Sequence, residues 1–173
     1  ITYEAPYLDN LPTAPREKFA ANIAAIQKLK EIEQRVANGG SPAFEDEQRI
    51  LAQYTGWGGL SDAFDPNKST WSNEYSQLKA ALSESEYEAA RSSTLTAFYT
   101  PATVIHPIYR ALERFGVKGG KILEPSMGTG AFLAHGHFGS SDAKFYGVEL
   151  DSITGRISKQ LYQKANIQVT GYE

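Results

Sequence analysis

The segment Lys121-Ile-Leu-Glu-Pro-Ser-Met-Gly-Thr-Gly-Ala-Phe-Leu133 decides the fold of this chain. The apolar pair that follows its first residue predicts a short buried strand ending at Glu124. Gly128 and Gly130 then allow a tight turn with positive φ angles. The apolar residues after that turn begin a helix. A strand, a glycine turn and a helix N-terminus in this order indicate a ligand-binding crevice at the carboxyl edge of a parallel sheet.

The sequence around this segment alternates strand and helix patterns. Strands are predicted at 121–124, 144–149 and 167–170, with helices from about residue 129 and over 152–163 between them. The order β-α-β-α-β is typical of a parallel sheet with right-handed crossovers. The predicted fold class is therefore α/β, with a partial doubly wound, Rossmann-like sheet of about three strands.

The residues before the sheet are predicted to be helical. Apolar residues recur every three to four positions from Pro15 to Val36, which predicts an amphipathic helix. Ser41-Pro42 and Thr100-Pro101 each predict a helix start, with proline in the first turn. Ser83 begins a further helix through a capping box. The predicted organisation is an extended arm over 1–14, a helical module over 15–96, and a truncated half of the α/β domain over 97–173.

Composition excludes several classes of protein. The chain has 173 residues, of which 41% are hydrophobic, so it can form a real core. No run approaches the ~20 apolar residues of a membrane span, and we expect a cytoplasmic protein without a membrane partner. There is no cysteine, which excludes disulfides and thiolate metal sites. The net charge of -3 argues against a free-standing nucleic-acid binder. The first residue is Ile, and we interpret the chain as part of a longer polypeptide.

The two strand-end acids indicate what kind of ligand fits the crevice. The turn lacks the third glycine of a dinucleotide fingerprint, because Leu133 stands in its place. Glu124 would repel a pyrophosphate but suits an ammonium group. Glu149 ends the second strand, where a carboxylate can accept hydrogen bonds from both ribose hydroxyls. Leu150 offers an apolar surface to a base. S-adenosylmethionine carries an ammonium group at one end and an adenosine at the other, whereas NAD does not.

The same segments resemble the N6-adenine DNA methyltransferases, which use S-adenosylmethionine. Residues 124–132 (Glu-Pro-Ser-Met-Gly-Thr-Gly-Ala-Phe) look like the first motif of that family, and 147–151 (Gly-Val-Glu-Leu-Asp) look like the second. Phe98-Tyr-Thr-Pro101 is similar to the segment that precedes the first motif. The helical region with Tyr54-Thr-Gly-Trp-Gly-Gly-Leu60 is similar to the N-terminal part of large phage and mobile-element proteins. Those proteins join an adenine methylase to a helicase-like domain.

The resemblance implies the cofactor-binding part of a DNA adenine methyltransferase, with DNA as the partner of the full-length protein. It implies that Thr100 binds the methionine carboxylate and that Glu124 holds the ammonium group. The glycines would give the cofactor room, Glu149 would bind the ribose, and Leu150 would pack against the adenine. The predicted cofactor-binding set is Tyr99, Thr100, Glu124, Pro125, Ser126, Gly128, Gly130, Glu149 and Leu150.

One part of the family pattern is absent from the 173 residues. The catalytic motif of such enzymes is Asp or Asn followed by Pro-Pro and an aromatic residue, which stacks on the flipped base. Phe64-Asp-Pro-Asn67 is the nearest string, and it lacks the second proline and the aromatic residue. No catalytic residue and no metal ligand is predicted, and we expect the isolated chain to be inactive.

Two other functions compete with this interpretation. The chain could be a non-catalytic DNA- or protein-interaction module of a larger mobile-element protein, with the helical half as its working part. The turn Gly56–Leu60 and the missing tetrapeptide favour that reading, although a buried tryptophan anchor is the simpler account of the turn. A nicotinamide-dependent oxidoreductase depends only on the Gly-x-Gly turn and Glu149. The missing third glycine and Glu124 argue against it.

Overall fold

The computed structural model describes residues 10–136 and 143–171. These residues form two compact units, one from Asn10 to Phe98 and one that begins at Tyr99. Most of the predicted arm, residues 1–14, lies outside the described residues. Each unit is described by itself below.

The first unit is helical. It contains α1 (Pro15–Ala37), α2 (Glu45–Leu51), α3 (Ser72–Ala81) and α4 (Glu84–Ser93), with short 3-10 turns at Ser61–Phe64 and Ser69–Trp71. The spacing that predicted α1 places its apolar side chains on one buried face, formed by Phe19, Ile23, Ile26, Leu29 and Ile32.

Two of the predicted helix starts have different outcomes in this unit. The capping box at Ser83 is confirmed: its backbone N–H donates to Glu86 Oε2 at 2.9 Å, and the Glu86 N–H donates to Ser83 Oγ at 3.3 Å. The start predicted at Ser41-Pro42 is wrong, because α2 begins at Glu45. There the Glu47 carboxylate accepts the backbone N–H of Phe44 at 2.9 Å and fixes the first turn.

The core of the helical unit is built around Trp57, which is 1% exposed. Its ring makes edge-on contacts with Phe19, Tyr54 and Phe64 at centroid distances of 6.1, 6.4 and 5.4 Å. Buried Asn22 donates to the Gly56 carbonyl at 2.7 Å and so holds the start of the turn that carries the tryptophan. The interpretation of Gly56–Leu60 as a tryptophan anchor is therefore confirmed.

Truncation of Trp57 tests this assignment. We expect Trp57→Ala to lower the free energy of unfolding by about 3–5 kcal/mol, because it leaves a cavity that three rings line. Leu95→Ala is the control: its side chain is 79% exposed, and its effect should stay within about 0.5 kcal/mol. Urea unfolding followed by fluorescence and circular dichroism measures both. Equal losses in the two variants would contradict the anchor role.

A bidentate ion pair joins the end of α1 to α2. Arg35 donates to Glu47 Oε1 at 2.7 Å and to Glu47 Oε2 at 2.6 Å. The hydrogen bond from Arg35 lowers the pKa of Glu47 from 4.5 to about 2, helped by the backbone N–H of Phe44. The pair also orders the loop between the helices, because Arg35 Nε donates to the Ser41 carbonyl at 3.0 Å.

The lowered pKa of Glu47 predicts an acid-sensitive contribution to stability. A carboxylate with a lowered folded-state pKa stabilises fully above its unfolded pKa of about 4.5 and loses that contribution as pH falls towards about 2. Glu47→Gln should therefore be less stable than the parent at pH 7, with the difference shrinking through this window. Thermal unfolding across pH 7 to 2 measures it. The exposed carboxylate variant Glu17→Gln is the control, and a constant difference for Glu47→Gln across this range would rule out the ion-pair explanation.

The second unit has an α/β fold, as predicted. Its elements are α5 (Ala102–Arg114), β1 (Lys121–Glu124), α6 (Ala131–His135), β2 (Lys144–Glu149), α7 (Ser152–Leu161) and β3 (Asn166–Val169). The strands form a parallel sheet in the order β1-β2-β3. The predicted α/β fold, with a three-stranded parallel sheet behind a helical region, is thus confirmed.

The core of this unit covers one face of the sheet. Ile122 of β1 and Phe145 of β2 pack against the buried Ile105 and Tyr109 of α5. Farther along the sheet, α7 approaches β3 closely enough that a Cβ at Gly155 would lie 2.8 Å from Val169. Among the described residues, no helix is both long enough and apolar enough to span a membrane.

Candidate functional site

The two strand-end acids lie at the same edge of the sheet. Glu124 ends β1 and is the register partner of Gly147 on β2. Glu149 follows two residues later, so its side chain leaves the same face as that of Glu124. Because the strands are parallel, both carboxylates are placed at the carboxyl edge, where the sequence predicts a crevice.

Glu149 braces the glycine turn. Its Oε2 accepts the backbone N–H of Gly128 at 2.8 Å, and its Oε1 accepts that of Asp151 at 2.8 Å. A third bond runs from the Met127 N–H to the Val148 carbonyl at 3.0 Å. The carboxylate therefore ties the end of β2 to the turn that follows β1, using hydrogen bonds strengthened by its charge.

Tyrosine rings occupy the space beside both glycines of the turn. Gly128 has φ 55° and Gly130 has φ 79°, conformations that favour glycine. A Cβ at Gly128 would lie 2.8 Å from the ring of Tyr99, and one at Gly130 would overlap the ring of Tyr162. The Tyr162 hydroxyl also donates to the Thr129 carbonyl at 3.0 Å. The rings of Tyr99 and Tyr162 thus pack directly against the glycine turn.

Burial changes the acid–base properties of the groups at this edge. Desolvation raises the pKa of Glu124, partly offset by a hydrogen bond from the backbone of Ser126. Burial, and then the nearby Glu124, raise the pKa of Tyr109 to about 12. Burial likewise raises the pKa of Tyr99, whose hydroxyl lies 3.5 Å from Thr154 Oγ1. Glu124 thus has a higher affinity for a proton than an ordinary surface carboxyl group.

The other predicted site residues lie on the surface. Thr100, Pro125, Ser126 and Leu150 are exposed, with Leu150 at 77%. The prediction that Thr100 caps α5 is wrong, since the N-cap is Pro101 and no side chain accepts a bond there. The structure therefore brings Tyr99 and Glu149 to the glycine turn and leaves these four side chains facing outward.

Sequence reasoning missed several residues that hold the edge together. Asp151 caps α7 by accepting the Thr154 N–H at 2.7 Å, which an acid before a helical pattern could have indicated. Ser158 is fully buried and donates to the Gly128 carbonyl at 3.0 Å. Neither Ser158 nor Tyr162 has a local sequence signal, because their partners lie about 30 residues earlier in the chain.

Two histidines meet beside this site. His106 Nε2 lies 3.1 Å from His135 Nδ1. Within the described residues, no group of three or more His, Cys, Asp or Glu side chains could hold a metal ion. His137, two residues farther along the chain, lies outside the described residues.

Two glycine substitutions separate backbone strain from close packing. Gly130 and Gly116 have similar positive φ angles, 79° and 83°, but no atom lies within 4 Å of a Cβ at Gly116. Gly116→Ala should therefore cost about 1–2 kcal/mol through strain alone. Gly130→Ala should cost about 1–3 kcal/mol more, because it displaces the ring of Tyr162. Chemical denaturation measures both, and similar losses would contradict the packing of Tyr162 on the turn.

Comparison with known proteins gives one distant similarity. The chain is 28% identical over 158 residues to Defense against restriction protein B of Escherichia phage P1. The alignment covers 91% of this chain but 5% of that protein. No protein-family profile matches the chain. No solved structure matches it.

This similarity overturns the interpretation of the chain as part of a DNA adenine methyltransferase. The name of the phage protein assigns it to defence against restriction and does not describe a methyltransferase. The alternative, a non-catalytic interaction module, agrees better with the finding. Glu149 and the two glycines of the turn also have partners within the chain, so a structural role accounts for these residues as well. Binding of S-adenosylmethionine by the predicted set of residues stays a prediction.

Proposed function

We propose that this chain is a non-catalytic interaction module of an anti-restriction protein, and that it acts by binding a protein partner. The observation that carries the proposal is the similarity to the phage P1 protein along 91% of the chain. Because the alignment spans 5% of that protein, the anti-restriction role is part of the proposal. The proposal also includes a cytoplasmic location.

An exposed apolar pair on the helical unit supports a protein partner. Leu95 and Phe98 follow α4 and are 79% and 69% exposed. Exposed apolar patches mark sites of protein interaction, and aromatic side chains such as Phe98 are enriched at interfaces. We call these two residues the apolar pair.

The backbone around the apolar pair is held in place. The Gly59 N–H donates to the Thr94 carbonyl at 3.0 Å, and the Ala97 N–H donates to the Ser93 carbonyl at 2.8 Å. A Cβ at Gly58 would overlap the carbonyl oxygen of Ala97, so the tryptophan turn packs directly under this segment. The backbone that carries the pair therefore needs little ordering on binding, which lowers the entropic cost of association.

The charges of the helical unit favour protein over DNA as the partner. Acidic side chains outnumber basic ones between residues 10 and 98. Several of the cations are already paired with carboxylates in the unit: Arg16 with Glu74, Lys30 with Glu86, and Arg35 with Glu47. DNA binding requires clustered cations that can neutralise phosphates.

A chimeric phage tests the proposal. The aligned segment of the phage P1 protein is replaced by residues 1–173, and plating on a restricting host is compared with plating on a non-restricting host. We expect the chimera to retain protection. Leu95→Asp with Phe98→Asp should reduce protection at least about tenfold, as expected when two interface anchors are lost.

Ile50→Asp is the matched control, because Ile50 is a partly exposed apolar residue of α2 away from the pair. Its chimera should protect like the parent at equal protein abundance. Full protection by the Leu95/Phe98 variant, or no protection by the unmodified chimera, would refute the proposal. Retarded migration of duplex DNA that the same double variant abolishes would identify DNA instead of protein as the partner.

A further inference from the structure

The second face of the parallel sheet carries an apolar centre with a positively charged end. Register pairing places three sets of residues side by side on this face. From β1 to β3 they are Lys121 and Leu123, then Lys144, Tyr146 and Val148, then Asn166 and Gln168. We call these seven residues the open face.

The apolar side chains of the open face remain accessible. Leu123 is 50% exposed, while Tyr146 and Val148 are half-buried. On the opposite face, by contrast, Ile122 and Phe145 pack against α5. Parallel sheets are normally covered on both faces, because their strands lie inside a layered domain. Within the described residues, the open face is thus less covered than is normal for its sheet type.

The two lysines give this surface a distinct electrostatic character. Lys121 and Lys144 are direct register partners, so their side chains leave neighbouring strands on the same face. Like charges placed directly opposite one another destabilise a sheet. Neither lysine forms an ion pair with any residue that the structure describes. A carboxylate supplied from outside would relieve this repulsion.

We propose that the open face is the docking site of an amphipathic α-helix of a partner protein, with acidic residues at one end. The apolar stripe of the helix lies over Leu123, Tyr146 and Val148, and its acidic end lies over Lys121 and Lys144. The dimensions agree: three strands are about 10 Å across, which is about the diameter of one helix. This surface belongs to the α/β unit, and the inference does not depend on the function proposed above.

Two other occupants fit the open face less well. It contains no carboxylate, so a second copy of the chain docking through the same face would leave four lysines unpaired. Nucleic acid would place phosphates over an apolar centre flanked by only two cations, whereas phosphate binding depends on many. An acidic amphipathic helix satisfies the apolar and the charged parts together.

Synthetic helix peptides test the inference with the whole 173-residue chain. A labelled peptide about four turns long carries leucines on one face and two glutamates at one end, and its counterpart carries two lysines instead. Fluorescence anisotropy should show about tenfold tighter binding of the acidic peptide. Lys121→Glu with Lys144→Glu should reverse that preference. Leu123→Asp should weaken binding of both peptides about tenfold.

Ile50→Asp is the control, because it changes a partly exposed apolar residue of the other unit and should leave both affinities unchanged. Circular dichroism checks that every variant stays folded, and Leu123 is exposed enough to tolerate the change. Absence of binding, or a charge preference that the lysine reversal does not change, would overturn the inference. So would a dimer seen by sedimentation, or duplex DNA binding, that Leu123→Asp abolishes.

Discussion

Two hydrogen bonds to one carboxylate organise the edge of the α/β unit. Through them Glu149 holds the backbone of Gly128 and of Asp151, and so fixes the turn after β1 against the end of β2. The other contacts follow from that position: Tyr99 lies against one glycine, Tyr162 lies against the next, and α7 is capped beside them. Removing the charge would leave two backbone donors without an acceptor, each costing about 1–3 kcal/mol if buried.

These contacts give the local motif a structural role. A strand-end acid and a Gly-x-Gly turn suit an adenosine-containing ligand, but they also suit a turn packed under two aromatic rings. Both arrangements require glycines with positive φ and a carboxylate that accepts hydrogen bonds. The residues at 124–132 and 147–151 therefore specify the geometry of the edge more strongly than they specify a ligand. The similarity to the phage protein extends along 91% of the chain, whereas these two motifs cover only short segments of it.

Features set by neighbouring residues were predictable, and features set by distant ones were not. The spacing of α1, the capping box at Ser83 and all three strands followed from patterns within a few residues. Ser41-Pro42 matches a cap pattern, yet α2 begins at Glu45. There the Glu47 carboxylate accepts the Phe44 N–H and pairs with Arg35, which is distant in the chain. The ring of Tyr162 reaches a turn about 30 residues earlier, so no local pattern could reveal it.

The open face is itself a consequence of topology. The strand order β1-β2-β3 advances in one direction, and right-handed crossovers then place α6 and α7 on the same side of the sheet. The contacts of α5 with Ile122 and Phe145 add a third helix to that side. An amphipathic helix differs from a sheet, because it has a single apolar stripe and can bury all of it against its neighbours. The helices around Trp57 do so. A sheet has two faces, and crossovers that run one way can cover only one of them.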